Sequence, residues 1–335
     1  MDRTNPAQSI ADDFGGGDGG GGRVDSDAGG KPRRELVAIT AHELLRNPPP
    51  PRKNILNPWL PQQGLTMIHA KRGCGKTHIA LGIAYAVATG TRFLRWQAEK
   101  PSRVLYVDGE MCSHLLCQWI AEISASVDGE MPDEDYLRFI TPDNQIDPIP
   151  DLASAEGQRA IEEQLEGVDL LILDNKSTLC RTGDENAAQD YQPVQEWLLN
   201  LRRQGKTVLL IHHSNKAGGS RGTSMMEVPL DTIINLRQPP DYEPSKGLCV
   251  EVHFEKHRAI YGEDVEPFEV TYETRDGVAC WQMRGMKDAD LQRVVSLAND
   301  GLNQRDIARE LEMSLGKVNR LHREGVSVGL IKGKA

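Results

Sequence analysis

The eight residues AKRGCGKT, at positions 70–77, decide the fold of this chain. An apolar strand, predicted over residues 66–70, leads into them, and a helix with apolar spacing, predicted over residues 76–89, leads out and ends at Gly90. This order of strand, Gly-rich turn and helix predicts a phosphate-binding loop, because the turn directs backbone N–H groups at an anion. Ala70 takes the place of the first glycine of the common pattern and is small enough for it. The alternative is a Gly-rich turn that only opens a helix.

The end of this loop carries the residue types that a triphosphate requires. Lys76 can neutralise the β and γ phosphates, and the Thr77 hydroxyl can ligate Mg²⁺. The predicted ligands are therefore ATP and Mg²⁺. The residues of the loop expected to bind the nucleotide are Arg72, Gly73, Cys74, Gly75, Lys76, Thr77 and His78.

Strands and helices alternate between residues 54 and 241. Further apolar strands are predicted at residues 104–108, 170–174 and 208–212, and helices at residues 115–126 and 194–204. Unbroken apolar strands between helices are typical of a mostly parallel sheet covered on both faces, so the predicted fold is a P-loop α/β fold with flanking helices. Residues 250–281 alternate with period two and predict a hairpin that extends the sheet.

Two acidic residues are predicted beside the loop. Asp174 ends the buried strand LLILD, which places its carboxylate at the carboxyl edge of the sheet, where it would hold Mg²⁺ directly or through water. Glu110 follows the end of strand 104–108 and is the predicted general base for the attacking water. Asp108 is the competing carboxylate for this role. The alternative for Asp174 is a helix cap or turn, and for Glu110 it is an acidic turn on the surface.

The stretch LLIHHSNKAGGSRGTS, at residues 209–224, ends a strand in two histidines. One of the two histidines could sense the γ-phosphate from the strand tip. Metal binding and packing are the alternatives for paired histidines, although no third ligand is spaced for zinc. The following loop is rich in Gly, Ser and basic residues and suits the phosphate backbone of a nucleic acid, through Lys216, Ser220 and Arg221.

The stretch FEKHRAIYG, at residues 254–262, places Lys256 and Arg258 two residues apart on a strand, so both point to one face. Such a cationic pair could reach a phosphate bound by a neighbouring subunit, which is the role of an arginine finger. A pair of solvated surface charges is the alternative.

Composition excludes several classes of protein. The 335 residues carry a formal net charge of -10, and no stretch approaches the ~20 consecutive apolar residues of a membrane span, so no membrane partner is expected. The N-terminus lacks the apolar core of a signal peptide, which predicts a cytoplasmic chain. Six cysteines without a CxxC pair argue against a disulfide scaffold or a structural zinc site.

The sequence divides into three predicted segments. Residues 1–34 contain GGGDGGGG and few large apolar side chains, which predicts a disordered tail. A helical pattern at residues 36–46 and a proline run at residues 48–51 follow. Residues 35–284 form the predicted ATPase domain, and residues 285–335 the predicted C-terminal module.

The C-terminal module is predicted to be a helix-turn-helix or winged-helix unit. Three short helices are predicted at residues 291–299, 304–311 and 315–322, and Lys and Arg outnumber Asp and Glu by 10 to 7 in residues 284–335. Lys317 and Arg320 would contact duplex DNA. A helical cap on the ATPase domain is the alternative.

The order of these motifs resembles the RecA-type ATPase core. Within it, the chain is most similar to the RepA-type hexameric replicative helicases of plasmids and their AAA family ATPase relatives. HHSNK…SRGTS is similar to the HH-x-x-K…SRGSS stretch of that group, and KHRAIYG to its K-x-x-YG stretch. KHR followed by Gly is also similar to the end of the DnaB-type helicase core. The resemblance covers residues 36–284.

The resemblance implies a set of roles and a homo-oligomer, expected to be a hexamer. The roles are nucleotide and Mg²⁺ binding for Lys76 and Thr77, catalytic base for Glu110, Mg²⁺-binding acid for Asp174, γ-phosphate sensor for His213 and trans-acting finger for Arg258. Some RepA-type proteins place the finger after the SRGS stretch, where this chain has Arg221 or Arg237. The C-terminal module lies outside the minimal RepA-type core.

These patterns lead to a functional hypothesis. The chain is expected to be an ATP-hydrolysing, ring-forming motor on single-stranded DNA, a replicative helicase or translocase of a plasmid, phage or other mobile element. The alternatives are an ATP-regulated DNA-binding regulator and a recombination mediator without unwinding activity.

Overall fold

The structure is a computed structural model that describes residues 36–127, 131–182, 188–214, 227–243, 245 and 247–331. The predicted tail at residues 1–34 and the predicted DNA-binding residues Lys216, Ser220 and Arg221 lie outside these ranges. The chain divides into two compact units, Met1–Arg52 and Lys53–Ala335. The domain boundaries at residues 34 and 284 stay predictions.

The described part of the first unit contains one helix, α1 (Ala41–Arg46). It begins later than the predicted 36–46 because a capping box fixes its start at Thr40. The Thr40 hydroxyl accepts a hydrogen bond from the Glu43 backbone N–H (3.1 Å), and the Glu43 carboxylate accepts one from the Thr40 N–H (2.7 Å). The stretch before Thr40 is therefore not helical.

In the described residues of the second unit, nine strands form one sheet. Four short strands make two small hairpins outside it: β1 (Asn54–Leu56) with β2 (Leu60–Pro61), and β4 (Arg92–Phe93) with β5 (Trp96–Gln97). The strands of the sheet are β3 (Leu65–Ala70), β6 (Val104–Asp108), β7 (Leu137–Ile140), β8 (Leu170–Asp174), β9 (Thr207–His213), β10 (Thr232–Arg237), β11 (Leu248–His257), β12 (Phe268–Arg275) and β13 (Val278–Gly285).

The sheet has the order β13-β12-β11-β10-β3-β9-β8-β6-β7. The strands from β10 to β7 in this order pair in parallel, so the predicted mostly parallel sheet is confirmed. The strand before the phosphate loop, β3, is buried throughout and lies at the centre. Every parallel strand directs its carboxyl end to the same edge, and that edge carries the loop.

Helices cover both faces of the sheet. They are α2 (Lys76–Thr89), α3 (Ser113–Ser126), α4 (Ala155–Glu162), α5 (Lys176–Leu179) and α6 (Ala188–Arg203). Apolar residues of α2 and α3 share one core with alternate residues of the strands, and those of α4, α5 and α6 share the core on the opposite face. The helix predicted at residues 76–89 is confirmed at both ends, where glycines in left-handed geometry flank it.

The far side of the sheet differs from the prediction. Instead of one hairpin over residues 250–281, three antiparallel strands, β11, β12 and β13, extend the sheet. The sequence pattern did not predict strand β10. This strand pairs with β11 on one side and lies parallel to β3 on the other, so it joins the three antiparallel strands to the centre of the sheet. The sheet is therefore mixed at this side.

Three helices follow the sheet: α7 (Met286–Asn299), α8 (Gln304–Glu310) and α9 (Leu315–Ser327). Their apolar residues make a small core of their own: Val294, Ile307, Leu311, Val318 and Leu321. The three predicted helices are confirmed in number and order, but residues 286–331 contain no strand, so no winged form is found in them. None of the described helices has both the length and the apolar character needed to cross a bilayer.

Candidate nucleotide-binding site

The phosphate loop depends on two glycines with left-handed backbone geometry. Gly73 has a φ of 77° and Gly75 a φ of 73°, a region that side chains disfavour. A Cβ at Gly75 would lie 1.9 Å from a methyl group of Leu248, whereas one at Gly73 would meet nothing within 4 Å. The loop is thus an open, Cβ-free cradle at Gly73, and Leu248 packs tightly against it at Gly75.

Lys76, the first residue of α2, turns its ammonium group back over the loop. Nζ donates hydrogen bonds to the carbonyl oxygens of Ala70 (3.3 Å) and Lys71 (3.1 Å). Burial lowers the pKa of Lys76, and the nearby carboxylates of Asp174 and Glu110 oppose this change. The ammonium group therefore lies where the phosphate oxygens of a nucleotide could replace these two carbonyl oxygens as hydrogen-bond acceptors.

Asp174 ends β8 and is buried beside the loop. Its Oδ2 accepts a hydrogen bond from the Tyr106 hydroxyl at 2.6 Å, and the nearby Thr77 side chain also favours the charged form of the carboxylate. Burial, reinforced by the charge of Asp108, raises the pKa of Asp174 to about 6, although these two side chains oppose the rise. Thr77 and Asp174 both line one cavity, and their hard oxygen atoms are of the type that fits Mg²⁺. A bound Mg²⁺ would supply charge neutralisation for the phosphates.

The two candidate bases occupy different environments. Oδ1 of Asp108 accepts hydrogen bonds from the backbone N–H groups of Glu110 and Met111, both at 2.7 Å, so this carboxylate stabilises the turn. Burial raises the pKa of Asp108, although these two hydrogen bonds oppose the rise. The Glu110 side chain is 46% exposed and its Oε1 lies 3.8 Å from Nε2 of His213. Glu110, and not Asp108, lines the cavity.

A cavity of about 600 Å³ lies at this edge of the sheet. The predicted site residues that line the cavity are Arg72, Gly73, Gly75, Lys76, Thr77, His78, Glu110, Asp174 and His213. Four residues that were not predicted also line it: Trp119, Asn175, Tyr242 and Leu248. Cys74 was expected to bind nucleotide but does not line the cavity. Its side chain is buried under the loop and its N–H points at the Lys71 carbonyl, at 3.4 Å.

Lys256 and Arg258 lie far from this cavity. Arg258 follows β11, and its backbone N–H donates a hydrogen bond to the Asp231 carbonyl. Asp231 in turn lies beside Leu65, the first residue of β3. The phosphate loop begins at the other end of β3, five residues away, so roughly 17 Å separates Arg258 from that edge of the sheet. Both side chains do share one face, since each donates to the Val228 carbonyl, at 3.1 Å from Lys256 and 3.0 Å from the exposed Arg258. Neither can reach the nucleotide cavity of its own subunit.

A buried polar network beside the cavity was missed from the sequence. The imidazole of His69 contacts the Ser214 hydroxyl at Nδ1 (2.9 Å) and the Glu255 carboxylate at Nε2 (2.8 Å), and Glu255 also accepts from Arg237 (2.9 Å). The network ties the residue after His213 to strand β11. A polar residue within the apolar strand LTMIHA was the available sign, because buried polar groups need partners.

The predicted DNA-binding residues of the C-terminal helices differ in availability. Lys317 is already paired, with Nζ 2.5 Å from the Asp290 carboxylate on α7. Arg320, on the same helix α9, is exposed. Only Arg320 of this pair is therefore presented to a partner without breaking an ion pair.

The loop, the parallel sheet and the cavity together define a P-loop ATPase with a RecA-like core. The sequence pattern of the AAA domain family matches residues 31–219, more than half of the chain. The chain belongs to that family. Among curated proteins, no sequence matches it significantly.

Two solved structures have a similar fold. The flagellar accessory protein FlaH of Methanocaldococcus jannaschii shares 13% identity, over 67% of this chain and 91% of FlaH, with a TM-score of 0.44. A KaiC-like protein of the archaeon Pyrococcus horikoshii OT3 shares 15% identity, over 70% of this chain and 100% of that protein, with a TM-score of 0.48. These similarities carry no argument about function. The family match supports ATP hydrolysis, and the narrower resemblance to RepA-type helicases stays a hypothesis.

Proposed function

We propose that this ATPase is a ring-forming motor that moves along single-stranded DNA and unwinds duplexes, as a replicative helicase of a mobile element. ATP would bind between subunits of a homo-oligomer, with a hexamer as the expected form. The motif order and the resemblance to RepA-type helicases support this proposal, and ATP hydrolysis itself follows from the family.

The placement of Arg258 is the observation that carries the proposal. The cations that line the cavity among the described residues, Arg72 and Lys76, both belong to the phosphate loop. Arg258 is exposed, lies at the opposite edge of the sheet and is held beside Lys256 by the Val228 carbonyl. A cationic pair unable to serve its own cavity suits a cavity on the next subunit, as in a ring or filament.

The end of β9 supports coupling between nucleotide and DNA. His213 lines the cavity, and the hydroxyl of the next residue, Ser214, is hydrogen-bonded to the buried His69. The stretch predicted to bind DNA, residues 216–221, begins two residues after Ser214. We infer that changes at the γ-phosphate pass through His213 into that stretch. Binding would be dominated by the DNA backbone and would weaken as salt increases.

A strand-displacement assay tests the proposal. Wild-type protein with ATP and Mg²⁺ should release a labelled strand from a tailed duplex, and Lys76→Ala, which removes the loop cation, is the matched inactive control. Micrographs of the protein with a nonhydrolysable ATP analogue and single-stranded DNA should show closed rings. ATP hydrolysis without strand release would refute the unwinding activity, and open filaments would favour a recombination mediator.

The second candidate is an ATP-regulated DNA-binding regulator. Helices α8 and α9 follow each other across a short turn, the Ser314 hydroxyl caps α9, and Arg320 is exposed on α9. This arrangement suits recognition of duplex DNA by a second helix. Sequence-specific binding that is lost in Arg320→Gln, in the absence of strand displacement, would favour the regulator over the motor.

A further inference from the structure

Helix α7 is attached to the sheet by one buried arginine. The side chain of Arg293 is 3% exposed and is surrounded by carboxylates from four parts of the chain. Its nitrogens lie 2.9 Å from Asp241, 3.1 Å from Glu251 and 3.3 Å from Asp290, and one also contacts Glu269. Because Glu251 and Glu269 belong to β11 and β12, Arg293 links the C-terminal helices to the ATPase sheet.

Charge balance makes this cluster more than a surface contact. Arg284 pairs with Glu269, and Lys317 pairs with Asp290, so three cations face the four carboxylates around Arg293. Buried charges are tolerated only when they are paired, and removing one partner leaves the others uncompensated. Deleting the helices would therefore expose buried acids of the sheet, and point substitutions in the full chain are the better test.

One of the four carboxylates belongs to a wall of the nucleotide cavity. Asp241 directly precedes Tyr242, in the connection from β10 to β11 that ends at Leu248, and both Tyr242 and Leu248 line the cavity. Leu248 also packs against Gly75 of the phosphate loop. Arg293 and Asp241 are 2.9 Å apart in an ion pair that lacks the angles of a hydrogen bond, so charge is what holds this connection to α7.

The cavity lining contains two kinds of residue. Lys76, Thr77 and Asp174 suit phosphates and Mg²⁺, as described above. Tyr242, Leu248 and Trp119 offer aromatic and apolar surface instead. The Trp119 ring lies against His78, with ring centroids 3.9 Å apart and a tilt of 39°. Such surface suits a nucleobase, since stacking on aromatic rings is favourable for any base.

We propose that Arg293 is a positioning residue of the nucleotide site. Through Asp241, it fixes the wall formed by Tyr242 and Leu248, so that the C-terminal helices determine how tightly the base of ATP is held. This inference rests on ATP binding at the phosphate loop, and it is independent of any action on DNA.

The test compares two ligands by titration calorimetry on the full chain. The ligands are a nonhydrolysable ATP analogue with Mg²⁺ and inorganic triphosphate with Mg²⁺, which lacks the base. Asp241→Asn and Arg293→Lys should weaken the analogue by roughly tenfold, within the usual range of coupling between two sites, and leave triphosphate binding unchanged. Lysine keeps the charge of Arg293 but cannot reproduce the planar fork that contacts several carboxylates at once.

Two further variants sharpen the comparison. Lys287→Met is the matched control, because Lys287 lies on the same helix in an exposed ion pair with Glu324 (3.1 Å) that does not touch the connection. Tyr242→Ala should reproduce the loss of analogue affinity, and adding Asp241→Asn to it should cause little further loss, since both changes act on one wall. Asp241→Asn leaves three acids facing three bases, so the chain should remain folded.

The outcomes are separable. Analogue affinity unchanged in both Asp241→Asn and Arg293→Lys would overturn the role of Arg293, and so would an equal loss of both ligands, which would indicate damage to the phosphate loop. Wild-type protein that bound neither ligand would instead remove the ATPase assignment. A selective loss of the analogue in the two variants, with Lys287→Met behaving as wild type, would establish the proposal.

Discussion

The Tyr106 hydroxyl donates a 2.6 Å hydrogen bond to Oδ2 of Asp174, and both side chains are buried. Tyr106 and Asp174 lie on the adjacent strands β6 and β8, so the bond joins the strand that leads to Glu110 with the strand that ends at the candidate Mg²⁺ site. It also lowers the cost of a buried carboxylate at that site. Burial, with the charges of Asp174 and Asp108, raises the pKa of Tyr106, so the phenol remains a donor.

The first prediction is that Tyr106→Phe shifts the pH profile of ATP hydrolysis upward. Removing the donor leaves Asp174 less well stabilised as an anion, so its pKa should rise above about 6. The acidic limb of the kcat/KM profile should therefore move to higher pH. The free energy of unfolding should fall by about 1–3 kcal/mol, because a buried acceptor loses its partner. Rates measured from about pH 5.5 to 8.5, on either side of that pKa, check this, and superimposable profiles would contradict it.

The second prediction concerns the stability of Asp174→Asn without nucleotide or Mg²⁺. The pKa of Asp174 is about 6 in the folded chain against an ordinary 3.8, so the stability provided by the neutral carboxyl is fully present below about pH 4 and lost as the pH rises through 6. The amide introduced by the substitution stays neutral throughout. The variant should therefore be more stable than wild type at about pH 7.5, by up to roughly 3 kcal/mol, and should lose this advantage towards pH 4. Denaturant unfolding at several pH values measures it, and parallel curves would argue against an ionised, buried Asp174.

The third prediction separates the two candidate bases. Glu110→Gln should bind ATP normally and hydrolyse it about 10²–10⁴-fold more slowly, which is the usual contribution of a general base. Asp108→Asn should have a smaller effect, because its oxygen can still accept the N–H groups of Glu110 and Met111 that define the turn. Single-turnover hydrolysis with a parallel binding measurement distinguishes them. A wild-type rate in Glu110→Gln with a slow Asp108→Asn would reverse the assignment.

Much of the fold was predictable because its determinants are local. Helix α2 begins and ends as predicted, since Gly75 and Gly90 mark both of its ends in the sequence. The three apolar strands at the centre follow from unbroken runs that only a doubly covered sheet can bury. The phosphate loop and the position of Asp174 depend on the same local order of strand and turn.

The missed features depend on partners distant in sequence. Strand β10 mixes apolar residues with Thr232 and Asn235, whose buried side chains donate hydrogen bonds to the Trp59 carbonyl and the Glu255 carboxylate. The Arg293 cluster likewise joins a helix to strands about 25–40 residues earlier, and no local pattern in the sequence marks Arg293 as buried. Pattern alone gives the type of such a residue but not what it touches.

The final prediction tests whether the nucleotide site is shared between subunits. Arg258→Ala should fold and bind nucleotide, because its contact with the Val228 carbonyl is exposed and far from the cavity, yet hydrolyse ATP about 10³–10⁵-fold more slowly if the guanidinium serves a neighbour. Lysine at this position should rescue little, since a point charge cannot replace the planar fork. Lys76→Ala should be inactive through loss of the loop cation.

Mixing the two inactive variants is the decisive measurement. In mixed assemblies, Arg258 from a Lys76→Ala subunit can complete the intact loop of an Arg258→Ala subunit, so part of the activity should return, with a dependence on the mixing ratio. Arg237→Ala tests a rival candidate for the finger, because Arg237 is held by Glu255 at 2.9 Å on the same pair of strands but near the loop edge. If Arg237→Ala fails and complements while Arg258→Ala hydrolyses normally, the finger lies at Arg237. Arg221→Ala is tested in the same way, because Arg221 is the third candidate for the finger. If none of the three arginines matters, the site is complete within one subunit, and the ring-forming motor loses the observation that carries it.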